Sequence, residues 1–197
     1  MYSSYPSYIL GFHGCDLSIA ERVICGEKVL NPSANDYDWL GHGIYFWEND
    51  PERALQFAKE AARRTSQKNS QPAVIGAVVD LGACLNLVES KNLQLLKVGY
   101  ETLQVAGKTS QISLPKNKSG GLLRHLDCAV IETVHNSREE EDLRPFDTVR
   151  GVFWEGDELY PNAGFKEKNH IQICVRNPNC IKGFFRIQTQ NRTYSIP

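Results

Sequence analysis

Residues 39 to 50 read Trp-Leu-Gly-His-Gly-Ile-Tyr-Phe-Trp-Glu-Asn-Asp. Gly41, His42 and Gly43 stand directly before the aromatic run Tyr45, Phe46 and Trp47, which stops in an acidic turn before Pro51. A core strand does not need the glycines, which weaken strands. A surface loop does not need three aromatics in a row. A glycine lets backbone come close to a neighbour, and an aromatic ring offers a face for stacking. The combination points to something flat approaching this backbone. Two shorter signals accompany it. His13-Gly14 closes an apolar stretch near the N-terminus, and Gln172 sits in His-Ile-Gln-Ile-Cys-Val near the C-terminus. Each alone has a plain reading: a turn, a core strand, a solvent-facing amide.

The elements that must position these residues follow from periodicity. Residues 8 to 12 read as a short strand ending at His13-Gly14. Leu17, Ile19, Ala20, Val23 and Ile24 have helical spacing, with Asp16 or Ser18 as cap and Gly26 as stop. Asp50-Pro51-Glu52 opens a second helix, 51–64, with Asp at the N-cap and Pro at the first turn. Ala54, Phe57, Ala58 and Ala61 share one face of it. Residues 66–72 read as a polar linker and 73–82 as a buried strand. One helical segment is expected within 83–102, a loop over 108–121 and a further helix over 121–136. The acidic turn 139–145 follows. Residues 148–156, 170–175 and 183–188 are strand-like. Strands and helices do not alternate regularly, so the class is α+β.

Composition sets the frame. The chain has 197 residues, of which 41% are hydrophobic and 10% aromatic, enough for one domain spanning 1–197. Net charge is −1, so no broad electrostatic grip on nucleic acid is advertised. The basic residues Arg63, Arg64, Lys68, Lys116 and Lys118 read as solvated surface. Six cysteines lack C-x-x-C or zinc-site spacing. No secretory signal or membrane-length window is seen, which fits a reducing cytoplasm. His42 is expected to point away from any bound ring, and His125 and His135 to be structural.

In this order the three motifs resemble the catalytic domain of the ADP-ribosyltransferases, in the branch of diphtheria toxin and the poly(ADP-ribose) polymerases. That branch carries His-Gly on its first strand, a Gly-x-Gly-Ile-Tyr-Phe-like second motif followed by a helix, and a third strand beginning with Glu. The matching residues are His13-Gly14, Gly41 to Phe46 with the 51–64 helix, and Gln172. The resemblance covers residues 8 to 188. It implies a split mixed β-sheet core of two packed sheets with flanking helices. It also implies NAD as co-substrate and no metal. His13, Tyr45 and Gln172 would form the triad. Gly14 would hold the nicotinamide carboxamide through its backbone, and His13 would bond a ribose hydroxyl. Gly41 and Gly43 would shape the pocket wall, Tyr45 its floor, and Phe57 a second stacking face. Phe46 and Trp47 read as core.

The reaction breaks the bond between ribose and nicotinamide through an oxocarbenium-like cation, as in glycoside hydrolysis. The family's carboxylate stabilises that cation; Gln172 carries no charge. Three outcomes stay open: slower or single transfers, a substitute carboxylate such as Glu155, or NAD binding without turnover. His170 is two residues before Gln172 and shares its strand face. It reads as an acceptor-side residue or as an exposed strand-end histidine. The loop 154–168 before it reads as acceptor-binding or as an ordinary connection. The expected activity is mono-ADP-ribosyl transfer to a protein or nucleic acid. The alternatives are an NAD- or ADP-ribose-binding module and an NAD glycohydrolase. By resemblance alone, a toxin or defence role with a neutralising antitoxin partner is implied.

Overall fold

The computed structural model describes residues 8–64, 70–118 and 123–188. Strand β1 (Tyr8–Asp16) runs directly into helix α1 (Leu17–Ile24), where Asp16 accepts the Ser18 N–H at 2.9 Å as N-cap. The strand is longer than its apolar stretch suggests. Every residue from Tyr8 to Asp16 is registered against β3 (Pro72–Asp80), so His13 and Gly14 lie inside the sheet. Strand β2 (Ile44–Glu48) leads through a turn into α2 (Pro51–Arg64). Asp50 Oδ1 accepts the Arg53 N–H at 2.8 Å, the cap that Asp-Pro-Glu predicts.

Strand β4 (Cys84–Asn86) precedes α3 (Ser90–Ser110), so the 83–102 segment is a strand and a helix longer than expected. The expected 108–121 loop therefore begins at residue 111, and its last three residues lie outside the described ones. Helix α4 (His125–Glu140) absorbs Glu139 and Glu140, the first two of the acidic residues assigned to a turn. Residues 66–69 of the expected linker lie outside the described residues, and Pro72 belongs to β3. Strands β5 (Thr148–Phe153), β6 (His170–Val175) and β7 (Ile181–Arg186) complete the fold.

The protein is α+β, with a seven-stranded mixed sheet in the order β4-β5-β6-β2-β1-β3-β7 and, among the described residues, four α-helices. Among the described strands only the β4–β5 pair is parallel. The two packed sheets expected from the motifs are replaced by one hydrogen-bonded ladder. The stitch is narrow: β1 and β2 are registered at Gly11–Glu48 and Phe12–Trp47, with one more bond from Asn49 N–H to the Leu10 carbonyl at 3.0 Å. Strand alternation sorts the core. Ile44, Phe46, Ile75, Val79 and Ile173 pack with Ala20 and Val23 of α1. On the other face Phe12 and Trp47 meet Ala54 of α2, and Val149 and Cys174 meet Ile131 and Val134 of α4. All six cysteines are free.

His135 of α4 is 1% exposed, and neither ring nitrogen has a hydrogen-bond partner. Burial pushes its pKa down to about 4, with Arg176 and Arg138 adding to the effect and Glu132 opposing it. Below pH 6.5 the unfolded chain gains a proton that the folded chain refuses until about pH 4. Stability should therefore fall across that window, by about 2 kcal/mol at pH 5. His135→Leu should remove this acid loss. The check is urea unfolding of both proteins at pH 7 and pH 5; equal pH dependence would clear His135.

Candidate functional site

Where the β1/β2 ladder stops, a cleft opens. Its register continued would set Gly14 opposite Tyr45. Instead the imidazole of His13 takes the Tyr45 carbonyl, with Nδ1 2.8 Å from the oxygen. A carbonyl can only accept, so Nδ1 carries the proton and Nε2 keeps a free lone pair. The protein atoms crowded round the ring disfavour its cation and lower its pKa, the Tyr45 carbonyl pulling the other way. His13 is thus a neutral acceptor at working pH.

The bond from Asn49 shows that the Leu10 carbonyl faces β2. By strand alternation Phe12 and Gly14 present their N–H and C=O on that same edge. Gly14 therefore turns its backbone toward the open junction while remaining buried, and it is not among the residues lining the cleft. Its missing side chain serves packing: a Cβ there would collide with the Ala54 carbonyl of α2.

The cleft holds about 880 Å³ and is lined by His13, Gly43, Tyr45, Phe57, Glu155 and Gln172, among others. It thus gathers residues of all three motifs together with Glu155. Register alone would separate them. His13 is opposite Ile75, on the α1 face, whereas Trp47, Tyr45 and Gln172 share the other face. The parting of β1 from β2 lets one cleft reach both.

Tyr45 is fixed by its hydroxyl, which donates to the Gly41 carbonyl at 2.7 Å and accepts the Leu40 N–H at 2.9 Å. Burial raises the phenol pKa far above its usual range, so the ring stays neutral. Phe57 is 36% exposed and lies 4.9 Å from the Trp47 ring, centroid to centroid. Phe46 is fully buried core, as expected. Trp47 is 3% exposed but also edges the cleft.

The two glycines also have a cause that the sequence does not show. A Cβ on Gly43 would come within 2.5 Å of Cys174 Sγ and 2.7 Å of the Val175 carbonyl. A Cβ on Gly41, where φ is 76°, would strike Glu132 and Ile131 of α4. Both glycines let the loop press against β6 and α4. Gly43 lines the cleft, but its close neighbour is protein. His42 turns outward, with Nδ1 3.6 Å from Glu132 Oε2.

Gln172 is opposite Trp47 in the register. Its Nε2 lies 3.0 Å from His170 Nε2, and His170 Nδ1 lies 2.6 Å from the Lys168 carbonyl. His170 is 6% exposed and is not among the residues lining the cleft, so the exposed strand-end reading of it fails. Glu155 accepts from Arg53 Nη2 at 2.7 Å. Arg53 was missed by sequence reading because a first-turn arginine looks solvated. It is 6% exposed, lies 5.9 Å from the Trp47 centroid, and leaves Nε and Nη1 without partners. The signal that finds it is its place at N3 of α2, one turn before Phe57 on the cleft side. The cleft also includes Tyr37, from the stretch 31–38 that carried no motif, and Trp39, the first residue of the glycine-aromatic segment.

No family model and no solved structure matches this chain. It is similar to the uncharacterized protein MJ0359 of Methanocaldococcus jannaschii, at 28% identity over 190 residues covering 87% of this chain and 83% of that protein. That name states no activity. No helix among the described residues is long and apolar enough to cross a membrane. Among the described residues no group of three or more His, Cys, Asp or Glu could hold a metal ion.

Proposed function

We propose that this chain is an NAD-dependent mono-ADP-ribosyltransferase. One observation carries the reading: His13 and Gln172, both uncharged and both with an acceptor atom uncommitted among the described residues, share a single cleft with the locked ring of Tyr45. Ribose hydroxyls are donors that such acceptors would take, and nicotinamide is a flat ring that Tyr45 would stack on. Stacking adds about 0.5–1.5 kcal/mol beyond area burial. Phe57 supplies a second face, and the Gly14 backbone edge faces the junction where a carboxamide would pair.

In the reaction the bond from ribose C1′ to the nicotinamide nitrogen breaks, and its electron pair leaves with neutral nicotinamide. The cation at C1′ is taken by an acceptor nucleophile, which then gives up its proton. The groups named here position NAD and stabilise that cation. The acceptor, protein or nucleic acid, approaches past Glu155 and the 154–168 loop. A cytoplasmic setting, on the cysteines and the absence of a visible secretory signal, and a neutralising antitoxin partner, on the resemblance alone, belong to the same reading.

A second reading has its own support. Gln172 is uncharged and Glu155 is neutralised by Arg53, which suits a module that binds NAD without turning it over. An NAD glycohydrolase is the third case, with water as acceptor. The experiment is incubation with NAD labelled in its adenylate half, alone and with lysate, followed by separation of protein, RNA and DNA. Free nicotinamide with label in one macromolecular fraction is expected. Release of nicotinamide with free ADP-ribose only would make it a glycohydrolase. Binding without release would make it a module. In the same assay Tyr45→Ala should weaken NAD binding with the fold retained; unchanged affinity for NAD and for nicotinamide would remove Tyr45 from the site.

A further inference from the structure

A glutamine amide can present either an oxygen or an NH₂ to a ligand, and its shape does not decide which. In a site where a cation develops the choice sets the sign. The amide oxygen carries partial negative charge and accepts a hydroxyl proton. The NH₂ end is a positive donor and would oppose the cation. Something has to fix the orientation of Gln172 for it to act in place of a carboxylate.

We infer that His170 is that positioning residue: it holds the Gln172 amide nitrogen so that the oxygen is the end left for the cleft. The inference rests on reading the cleft as an NAD site. The geometry runs as a chain. The Lys168 carbonyl, 2.6 Å from His170 Nδ1, can only accept, so Nδ1 bears the proton. Nε2 then has a lone pair, and the group 3.0 Å from it must be a donor, the Gln172 NH₂. Oε1 is the acceptor that remains. The ring cannot swing, because it stacks on Phe153 at 5.7 Å and 29° and lies 6.4 Å from Trp47. Three strands, β5, β6 and β2, therefore hold one tautomer.

The arrangement requires a neutral ring. Burial lowers the pKa of His170, the Lys168 carbonyl opposing it. The charged groups facing it are Arg53, from α2, which disfavours its proton, and Glu155 and Asp50, which favour it. Acid below pH 6.5 would eventually protonate Nε2. The amide would then turn its oxygen to the imidazole and its NH₂ to the cleft.

The test has two arms on the full chain. In the first, ¹⁵N NMR of wild type at pH 7.5 reads the tautomer of His170, assigned by comparison with His170→Phe. Protonated Nδ1 with unprotonated Nε2 is expected; the reverse, or a doubly protonated ring, overturns the inference. In the second, nicotinamide release is measured for His170→Phe in the wild-type and Gln172→Glu backgrounds. His170→Phe keeps the stack on Phe153 but has no nitrogen. It should lower kcat on the order of tenfold with a smaller change in KM for NAD. In Gln172→Glu the effect should shrink to about twofold or less, because a carboxylate has two equivalent oxygens and no NH₂ to turn away, and bonds His170 only if Nε2 takes up a proton. Equal losses in both backgrounds would mean that His170 only packs, and would overturn the inference. If wild type neither binds NAD nor releases nicotinamide, the proposed function falls. The NMR arm then decides the orientation of Gln172 by itself.

Discussion

Nicotinamide release is expected to rise about tenfold or more in Gln172→Glu. The substitution adds a full negative charge where the wild type has only a carbonyl dipole. Two unit charges 4 Å apart interact by about 4 kcal/mol at an effective dielectric constant of 20. Only the part gained between bound NAD and the cation counts toward the rate. A gain of about 1.4 kcal/mol is enough for tenfold. The risk is repulsion from a carboxylate already present, which would drive one of the pair to protonate. Glu155 is the candidate, and Arg53 meets it at 2.7 Å in a pair whose side chains are 6% and 16% exposed. That compensation leaves the pocket able to take a second carboxylate. The measurement is release by wild type, Gln172→Ala, Gln172→Glu and Glu155→Gln under one set of conditions. Gln172→Ala should fall below wild type. Equal rates in all four would remove both Gln172 and Glu155 from the site.

His13→Ala should cost on the order of a hundredfold in transfer while melting close to the wild type. The imidazole has two roles, and the substitution ends both. Its Nδ1 holds the Tyr45 carbonyl at the point where β1 leaves β2. Its Nε2 is the acceptor that the proposed function assigns to a ribose hydroxyl. A shift of about 1 Å in a reacting group can cost a hundredfold. The fold should tolerate the loss because His13 is only half-buried and β1 is registered to β3 along its whole length. The orphaned Tyr45 carbonyl borders the cleft, where water can replace the lost bond. Thermal melting and activity per folded molecule separate the cases. Early melting with normal activity per folded molecule would make His13 structural.

Local chemistry was legible wherever it depends on neighbours in the chain. The Asp16 and Asp50 caps, the burial of Phe46 and the alternation that puts His170 beside Gln172 all follow from periods of two or 3.6 and from capping offsets. The glycines were legible as close approaches, but what approaches was not. Cys174 and α4 reach Gly43 and Gly41 from about 90 to 130 residues away, and Ala54 reaches Gly14 from the far side of the β2 strand. Arg53 was invisible for the same reason: its partner Glu155 is 102 residues distant. The tertiary structure also decided the point on which the proposed function turns. Strand register would leave His13 on one face of the sheet and Tyr45 with Gln172 on the other. They share a cleft because the β1/β2 ladder ends after Phe12–Trp47, and a side chain takes the carbonyl that the next backbone pair would have used. Ending a ladder is a competition between a side-chain and a backbone hydrogen bond, and only the packing around both strands sets which one forms.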